Sequence, residues 1–164
     1  MSVGNNLTNK KMGCDIHSFA ERRNKQTNKW EKVEDAFSLD NYDKERLKKD
    51  KGEHPFDWRS YSMYGFLAGV RNYSCCDPIA EPRGIPDDTT DEVREDYEGW
   101  GSDAHTPSFL TAKELLEFNY DKPVFKGSEE TYRDNLSGMF FIHLEDLAKL
   151  GNPEDVRIVF WFDN

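Results

Sequence analysis

The chain has 164 residues and a formal net charge of −10, with 36% apolar and 13% aromatic residues. This length suits one domain with a hydrophobic core. The apolar fraction is low, but a few large aromatic side chains can still fill that core. The negative charge excludes a chain-wide basic surface, so a nucleic-acid polymer is not an expected partner.

Cysteine usage and hydropathy predict the compartment. Cys14, Cys75 and Cys76 form neither a disulfide framework nor the Cys-x-x-Cys spacing of a zinc site. No apolar run approaches the length of a membrane span, and the first residues lack the apolar centre of a signal peptide. We therefore predict a cytoplasmic protein with no membrane partner. Residues 1–11 are predicted to be a flexible polar arm, and residues 12–164 a single domain.

The first half of the chain predicts a hairpin followed by a helix. The segments Cys14 to Arg22 and Trp30 to Val33 flank the polar turn NKQTNK, which is typical of a β-hairpin. The next stretch, DNYDKERLKKDKGEHP, is dense in charge and indicates an exposed loop or a frayed helix. The stretch DWRSYSMYGFLAGVRN predicts a helix. Gly65 and Gly69 lower the stability of a helix, so we expect this one to be supported by packing or to lie close to a neighbour.

The second half predicts a docked loop, two helices and a strand. Residues 73–108 show little apolar periodicity, so we expect an ordered loop anchored by Trp100. Thr111 and Glu114 form a capping box that starts a helix, and FIHLEDLAKLG predicts another. The stretch from Val156 to Phe162 is apolar on both faces, which predicts a central strand. The predicted fold is α+β, with a small, mainly antiparallel sheet packed by three or so helices.

Two similar motifs dominate the chemistry of the sequence. GCDIH places Asp15 two residues before His17, and WGSDAH places Asp103 two residues before His105. Residues two apart on a strand share one face, so each pair would project together. The four groups could hold one or two divalent metals, or act as general acid and base without a metal. Each could also be an ordinary surface or turn residue. We expect the two pairs to meet over one face of the sheet.

Two arginines are candidates for holding an anion. Arg71 ends the aromatic helix, and Arg83 lies in the Pro-rich segment PIAEPRGIPDD, where the backbone is stiff enough to aim it. If both converge on the histidines, they would form a phosphate clamp. Hydroxyl groups near the start of the Thr111 helix would support such a ligand. The other predicted ligand-binding residues are Asn72, Trp100, Ser102, Thr106 and Ser108.

Five motifs in fixed order resemble a known family. GCDIH, LAGVRN, AEPRG, WGSDAH and the terminal FWFDN resemble the motifs of a family of small phage and bacterial proteins that has no established activity. The resemblance covers most of Met12 to Asn164, apart from the loop around Asp43 to His54. It implies a phage-type accessory protein that acts in the cytoplasm of the host cell. Many such proteins act against host defence, so the resemblance also suggests an anti-defence role.

Three functions are compatible with these patterns. The favoured hypothesis is a phosphoester or nucleotide hydrolase that uses the Asp/His groups, with a divalent metal as the candidate cofactor. The second is a binder that sequesters a nucleotide signal without cleaving it. The third is an acidic decoy that binds a host defence protein through the run DDTTDEVREDYE. Hydrolysis is favoured because two Asp-x-His pairs exceed what simple binding requires. Self-association as a homo-oligomer is left open.

Overall fold

Six strands and six α-helices lie within residues 13–164, which are the residues that the computed structural model of the protein describes. The strands are β1 (Asp15–Arg23), β2 (Trp30–Lys32), β3 (Phe37–Ser38), β4 (Lys51–Gly52), β5 (Ala104–Thr111) and β6 (Val156–Asp163). The α-helices are α1 (Asn41–Leu47), α2 (Tyr61–Ala68), α3 (Asp91–Trp100), α4 (Ala112–Glu117), α5 (Tyr132–Asn135) and α6 (Gly138–Ala148). The predicted α+β class is confirmed. The predicted polar arm lies outside the described residues.

The main sheet has four antiparallel strands in the order β2-β1-β6-β5, and β3 and β4 form a second, two-stranded sheet. The predicted hairpin is β1 and β2. The predicted central position of β6 is also confirmed, because β6 pairs with β1 on one side and with β5 on the other. Every residue from Val156 to Phe162 is buried. A strand in this position meets protein on both faces, which explains why its sequence is apolar without alternation.

The two faces of β6 pack against different layers. Phe160 and Phe162 belong to the larger core, together with residues of α2, α4 and α6. Val159 and Trp161 point to the other side and form a smaller core with Phe19 of β1. Successive side chains of a strand alternate between faces, so the register of β6 alone decides which core each residue joins. Helix α3 covers the smaller core.

Helix α3 and strand β5 correct the prediction for residues 73–108. We expected an irregular loop there, but Thr90 caps a ten-residue helix by accepting a hydrogen bond from the N–H of Val93. Val93, Tyr97 and Trp100 lie along one side of α3 and pack on the smaller core. Trp100 is therefore an anchor, as predicted. Seven exposed carboxylates between positions 87 and 98 mask this apolar stripe in the sequence: Asp87, Asp88, Asp91, Glu92, Glu95, Asp96 and Glu98.

A buried ion pair fixes the start of α3 to the sheet. Glu21 of β1 accepts a hydrogen bond from Nε of Arg157 at 2.9 Å, and both residues are at most 4% exposed. Glu21 also accepts from the Thr89 hydroxyl at 2.9 Å and from the Thr90 N–H at 2.7 Å. The guanidinium of Arg157 donates to Asp88 at 2.8 Å. The chain before α3 is therefore attached at several points, as a buried charge requires.

The glycines of α2 explain how that helix packs. A Cβ at Gly65 would lie 2.6 Å from Oδ1 of Asn72, so the following turn passes too close for any larger residue. Gly69 ends the helix with φ +71°, in the left-handed region that glycine adopts without strain. The sequence-based expectation of a close neighbour is confirmed at Gly65. That neighbour, Asn72, was predicted to bind a ligand; its amide instead closes the turn by hydrogen bonds to the backbone of Cys76.

Candidate functional site: a cleft between strand β1 and helix α3

A cleft of about 530 Å³ opens beside the smaller core, and we call it the α3 cleft. Its floor is β1, with His17 and Phe19. One wall is the segment before α2, with His54 and Asp57, and the other wall is α3. The full lining is Ile16, His17, Ser18, Phe19, Lys32, Glu53, His54, Asp57, Glu92, Asp96 and Trp100.

The α3 wall carries a regular stripe of functional groups. Glu92, Asp96 and Trp100 are four residues apart, so they lie above one another on the same side of the helix. Both carboxylates are exposed to the cleft, and within residues 13–164 neither has a salt-bridge or hydrogen-bond partner. The helix therefore presents two uncompensated charges and one large aromatic ring to any molecule in the cleft.

His17 is held in one orientation at the floor of the cleft. Its Nε2 lies 2.8 Å from Oδ2 of Asp163, and Oδ1 of Asp163 accepts the N–H of Asp15 at 3.2 Å. The imidazole packs 4.1 Å from the ring of Trp100 and 6.0 Å from the ring of Trp161. Because a carboxylate only accepts, a neutral His17 carries its proton on Nε2 and leaves the lone pair on Nδ1. The carboxylate thus orients a basic nitrogen.

His54 and Asp57 add two titratable groups on the opposite wall. Nδ1 of His54 donates to the carbonyl oxygen of Ser18 at 2.8 Å, and its ring meets Phe19 edge-on at 5.0 Å. Nε2 of a neutral His54 is then a second acceptor. Asp57 is open to water in the cleft, yet protein atoms crowd its carboxyl group. This partial desolvation raises the pKa of Asp57.

A buried histidine behind the cleft supports the wall that bears Asp57. Nδ1 of His143 accepts the N–H of Phe56 at 2.9 Å, and its Nε2 donates to the carbonyl of Ser38 at 2.8 Å. His143 is therefore neutral, with its proton on Nε2. Burial lowers the pKa of His143 and reinforces this state. The position of the wall thus depends on one uncharged imidazole.

The charge of the cleft is negative. Among the described residues that line it, Lys32 is the one lysine or arginine, against four carboxylates. Lys32 is already paired with Glu53 and lies 3.6 Å from Glu34, and the Glu53 hydrogen bond raises the pKa of Lys32. A free phosphate would meet carboxylates without an available cation. The lining as it stands therefore disfavours an anion.

The two Asp-x-His pairs do not share one face, so that prediction is wrong. Both histidines do lie beside β6, where His17 pairs with Trp161 and His105 pairs with Phe162. Trp161 and Phe162 are consecutive and point to opposite faces of the sheet. His17 consequently faces the α3 cleft, whereas the ring of His105 stacks near Phe162 on the other face, 6.1 Å away.

The remaining members of these pairs are in different settings. Both carboxylate oxygens of Asp15 bind the guanidinium of Arg59 at 2.9 Å, which lowers the pKa of Asp15. Asp103 lies on an exposed 3₁₀ turn, Gly101–Asp103, rather than on β5. Nδ1 of His105 is 3.0 Å from Oγ1 of Thr106. Within residues 13–164, no three metal-ligating side chains cluster, so the predicted four-residue metal site is not preformed.

The predicted arginine clamp is also wrong. Arg83 forms a two-point ion pair with Glu114 and donates to the carbonyl of Phe109 at 3.1 Å, next to the far end of β5. Arg71 donates to Asn164 at 3.4 Å, beyond the opposite end of β6. Asn164 lies five positions after Val159, the partner of Phe109, which corresponds to about 17 Å of extended chain. The two guanidinium groups cannot hold one small anion.

The predicted hydroxyl contacts are dispersed as well. Ser108 is buried on β5, and its hydroxyl accepts the backbone N–H of Arg83 at 3.0 Å. Thr106 has φ +52° and lies at the bulge in β5 between His105 and Ser108, and Ser102 is exposed in the 3₁₀ turn. Among the predicted ligand-binding residues, Trp100 lines the α3 cleft and the others do not. His17 likewise is the one predicted catalytic residue in its lining.

Comparison with known proteins gives no match: no family model, no curated protein and no solved structure is similar to this chain. Across residues 13–164, no helix combines the length and apolar character needed to cross a bilayer. Fold and site thus define the protein as a single α+β unit with an acidic, aromatic cleft.

The lining residues that the sequence analysis missed include His54, Asp57, Glu92 and Asp96. The last two carry a usable signal, because they precede Trp100 by eight and four residues on a helix that Thr90 caps. Predicting helix α3 from the sequence would have placed Glu92, Asp96 and Trp100 on one side of that helix. His54 and Asp57 carry no such signal. Two long-range hydrogen bonds hold their segment at the cleft. His54 donates to the carbonyl of Ser18, 36 residues earlier in the chain, and the N–H of Phe56 donates to His143, 87 residues later.

Proposed function

We propose that the α3 cleft binds a small organic ligand and that His17 transfers a proton to or from it. One observation carries the proposal: the imidazole of His17 is oriented by Asp163 and packed against Trp100 at the floor of an open cleft. A carboxylate that holds one ring nitrogen of a histidine leaves the other placed for general acid–base work. The protein is accordingly proposed to be an enzyme of the acid–base class.

The other groups of the cleft have complementary roles in this proposal. Asp57, with its raised pKa, is suited to hold a proton nearer neutral pH than an ordinary aspartate. Nε2 of His54 supplies a second hydrogen-bonding nitrogen. Trp100 packs against His17 and lends the remaining part of its indole surface to the cleft, where a ring of the ligand can make apolar contact. Together they provide binding and two proton-carrying sites that border the same space.

Phosphoester or nucleotide hydrolysis, the reaction that the sequence favours, is compatible with this proposal if a divalent cation is bound. The carboxylates of the cleft repel phosphate unless a divalent cation lies between them. Glu92, Asp96 and Asp57 have carboxylate oxygens of the kind that Mg²⁺ and Mn²⁺ accept, but no three such side chains cluster within residues 13–164, so the phosphate itself would have to supply further ligands to the cation. Sequestration of a nucleotide signal requires the same cation. A metal dependence is thus an integral part of either nucleotide hypothesis.

Binding of a host defence protein is the second candidate, and the outer surface of α3 favours it. Asp91, Glu95 and Glu98 are exposed there and none has a basic partner within the described residues. A basic surface on a partner would complement this helix and speed association. The motif resemblance supports an accessory role in a phage-infected cell. The three free cysteines support a location in the cytoplasm of that cell, where thiols stay reduced.

The test combines catalysis with a matched pair of histidine variants. The purified protein is incubated with a panel of nucleotides and phosphoesters, each with and without Mg²⁺ or Mn²⁺, and products are separated by chromatography. Turnover that His17→Gln abolishes and His105→Gln preserves supports the proposal, because His17 lines the cleft and His105 does not. Turnover that survives His17→Gln unchanged contradicts it. Binding of nucleotides that are recovered intact favours sequestration instead.

A further inference from the structure

We infer that the ligand of the α3 cleft carries a positive charge on a planar group, of the amidinium or guanidinium class. This inference rests on the proposed function in one respect: the ligand occupies the same cleft. It adds the charge and shape of the ligand, which the arrangement of His17 and Asp163 does not specify.

The first argument is that two carboxylates border the cleft without a cation of their own. Several other carboxylates that pack on the fold have a partner: Glu21 has Arg157, Glu114 has Arg83, and Asp15 has Arg59. Glu92 and Asp96 have none among residues 13–164. A cation placed between α3 and the opposite wall would compensate both of them. It would also meet Asp57 from the other side, since that residue lines the same space.

The second argument is the aromatic surface beside those charges. Trp100 follows Asp96 by one helical turn, so its indole and the two carboxylates border one volume. A flat cation over an indole face gains from the ring quadrupole, and guanidinium groups stack well because they are planar and weakly hydrated. His17 covers part of the indole, and the rest of it borders the carboxylates in the lining. Acceptors beside an aromatic surface match an amidinium or guanidinium group, which offers N–H donors at its edge and a flat face for aromatic contact.

The third argument is the state of the one ammonium group in the lining. Lys32 is held by Glu53 and Glu34, so it neither neutralises the α3 carboxylates nor remains available to an anion. The imidazoles of His17 and His54 both donate their fixed protons to protein acceptors. Their remaining nitrogens are acceptors in the neutral ring, which again suits a ligand that donates hydrogen bonds.

Three probes of nearly the same shape test the charge directly: benzamidinium, benzamide and benzoate. They are titrated into the full-length protein while the indole N–H signals of the tryptophans and the imidazole signals of the histidines are followed by NMR. We expect benzamidinium to bind most tightly and to shift the Trp100 and His17 signals. Benzamide should bind more weakly, and benzoate should not bind. Raising the salt concentration should weaken benzamidinium binding, since screening reduces its attraction to the carboxylates.

A charge-matched pair of variants locates the binding. Asp96→Asn and Glu95→Gln each remove one negative charge from α3, but only Asp96 lines the cleft. Asp96→Asn should weaken benzamidinium binding about three- to five-fold, as expected for one carboxylate at close range in water, whereas Glu95→Gln should change it little. Equal effects of the two variants would mean that the overall charge of α3 attracts the probe, and would overturn the inference.

The outcomes separate this inference from the proposed function. If benzoate or benzamide binds in the cleft as tightly as benzamidinium and shifts His17, the cleft is a ligand site and the charge assignment is wrong. If benzamidinium binds selectively but no reaction depends on His17, the charge assignment stands and the catalytic proposal fails. If none of the probes perturbs Trp100 or His17, the inference is overturned, while the turnover test of His17→Gln remains decisive for the proposed function.

Discussion

His17 and His105 flank the same strand but project from opposite faces of the sheet. Each is paired with one of two consecutive residues of β6, Trp161 and Phe162, whose side chains point in opposite directions. Two strand spacings, about 10 Å, separate their backbones. The similarity between the two Asp-x-His motifs therefore creates no joint site, and it is the register of β6 that assigns one histidine to the α3 cleft.

Substitutions of these histidines should act independently. We expect His17→Ala and His105→Ala to change the free energy of unfolding additively, within about 0.5 kcal/mol, because the side chains share no partner. Urea titrations of the two single variants and the double variant measure the coupling. A coupling well above 1 kcal/mol would show that the two imidazoles act through a common element.

Breaking the ion pair under α3 should destabilise the protein strongly. Arg157→Met leaves the fully buried Glu21 carboxylate without its charge partner, which we expect to cost about 3–5 kcal/mol of unfolding free energy. Urea denaturation at neutral pH measures this loss. Combining it with Glu21→Gln should recover part of the stability, since no unpaired charge then remains. Asp121→Asn, which breaks the exposed pair with Arg133, is the control and should have a much smaller effect.

Mild acid should weaken the fold through His143. Its folded-state pKa is lowered from the ordinary 6.5 by burial, so the unfolded chain binds this proton first as the pH falls. The neutral imidazole therefore contributes stability that is fully present above pH 6.5 and is lost as the pH drops towards the folded-state value. Protonation would also remove the acceptor for the N–H of Phe56.

The measurement is the free energy of unfolding from about pH 7 to about pH 5, above the range of most carboxylates. The wild-type protein should lose stability across this window. His143→Gln should start less stable and show a flatter dependence, because glutamine does not titrate. Parallel curves for the two proteins would exclude His143 as a source of the acid sensitivity.

Two helix glycines should respond in opposite ways to alanine. At Gly65 a methyl group would lie 2.6 Å from the Asn72 side chain, which cannot move away without losing its bonds to Cys76. Gly65→Ala should therefore destabilise the protein despite the better helix propensity of alanine. At Gly99 no atom lies within 4 Å of the added carbon, so Gly99→Ala should stabilise α3 by about 0.5–1 kcal/mol. Thermal unfolding of both variants checks the difference in sign.

Local patterns in the sequence predicted the elements whose signals lie within a few residues. The capping box of Thr111 and Glu114 is present in the structure at the start of α4. The hairpin of β1 and β2 follows the alternation around its polar turn, and the unbroken apolar run of β6 indicated its central place. These features depend on hydrogen bonds and burial patterns that neighbouring residues decide, so a single chain segment is sufficient to reveal them.

Only the tertiary structure decided which groups meet. His54 and Asp57 reach the α3 cleft because Ser18 and His143 hold their segment from distant parts of the chain. His105 is turned away because one register of β5 on β6 was chosen over another, and a shift of one residue would reverse its face. Contacts between residues far apart in sequence depend on the packing of the whole core. For that reason the sequence alone specified the fold class and most elements, while the composition of the site was determined by three-dimensional packing.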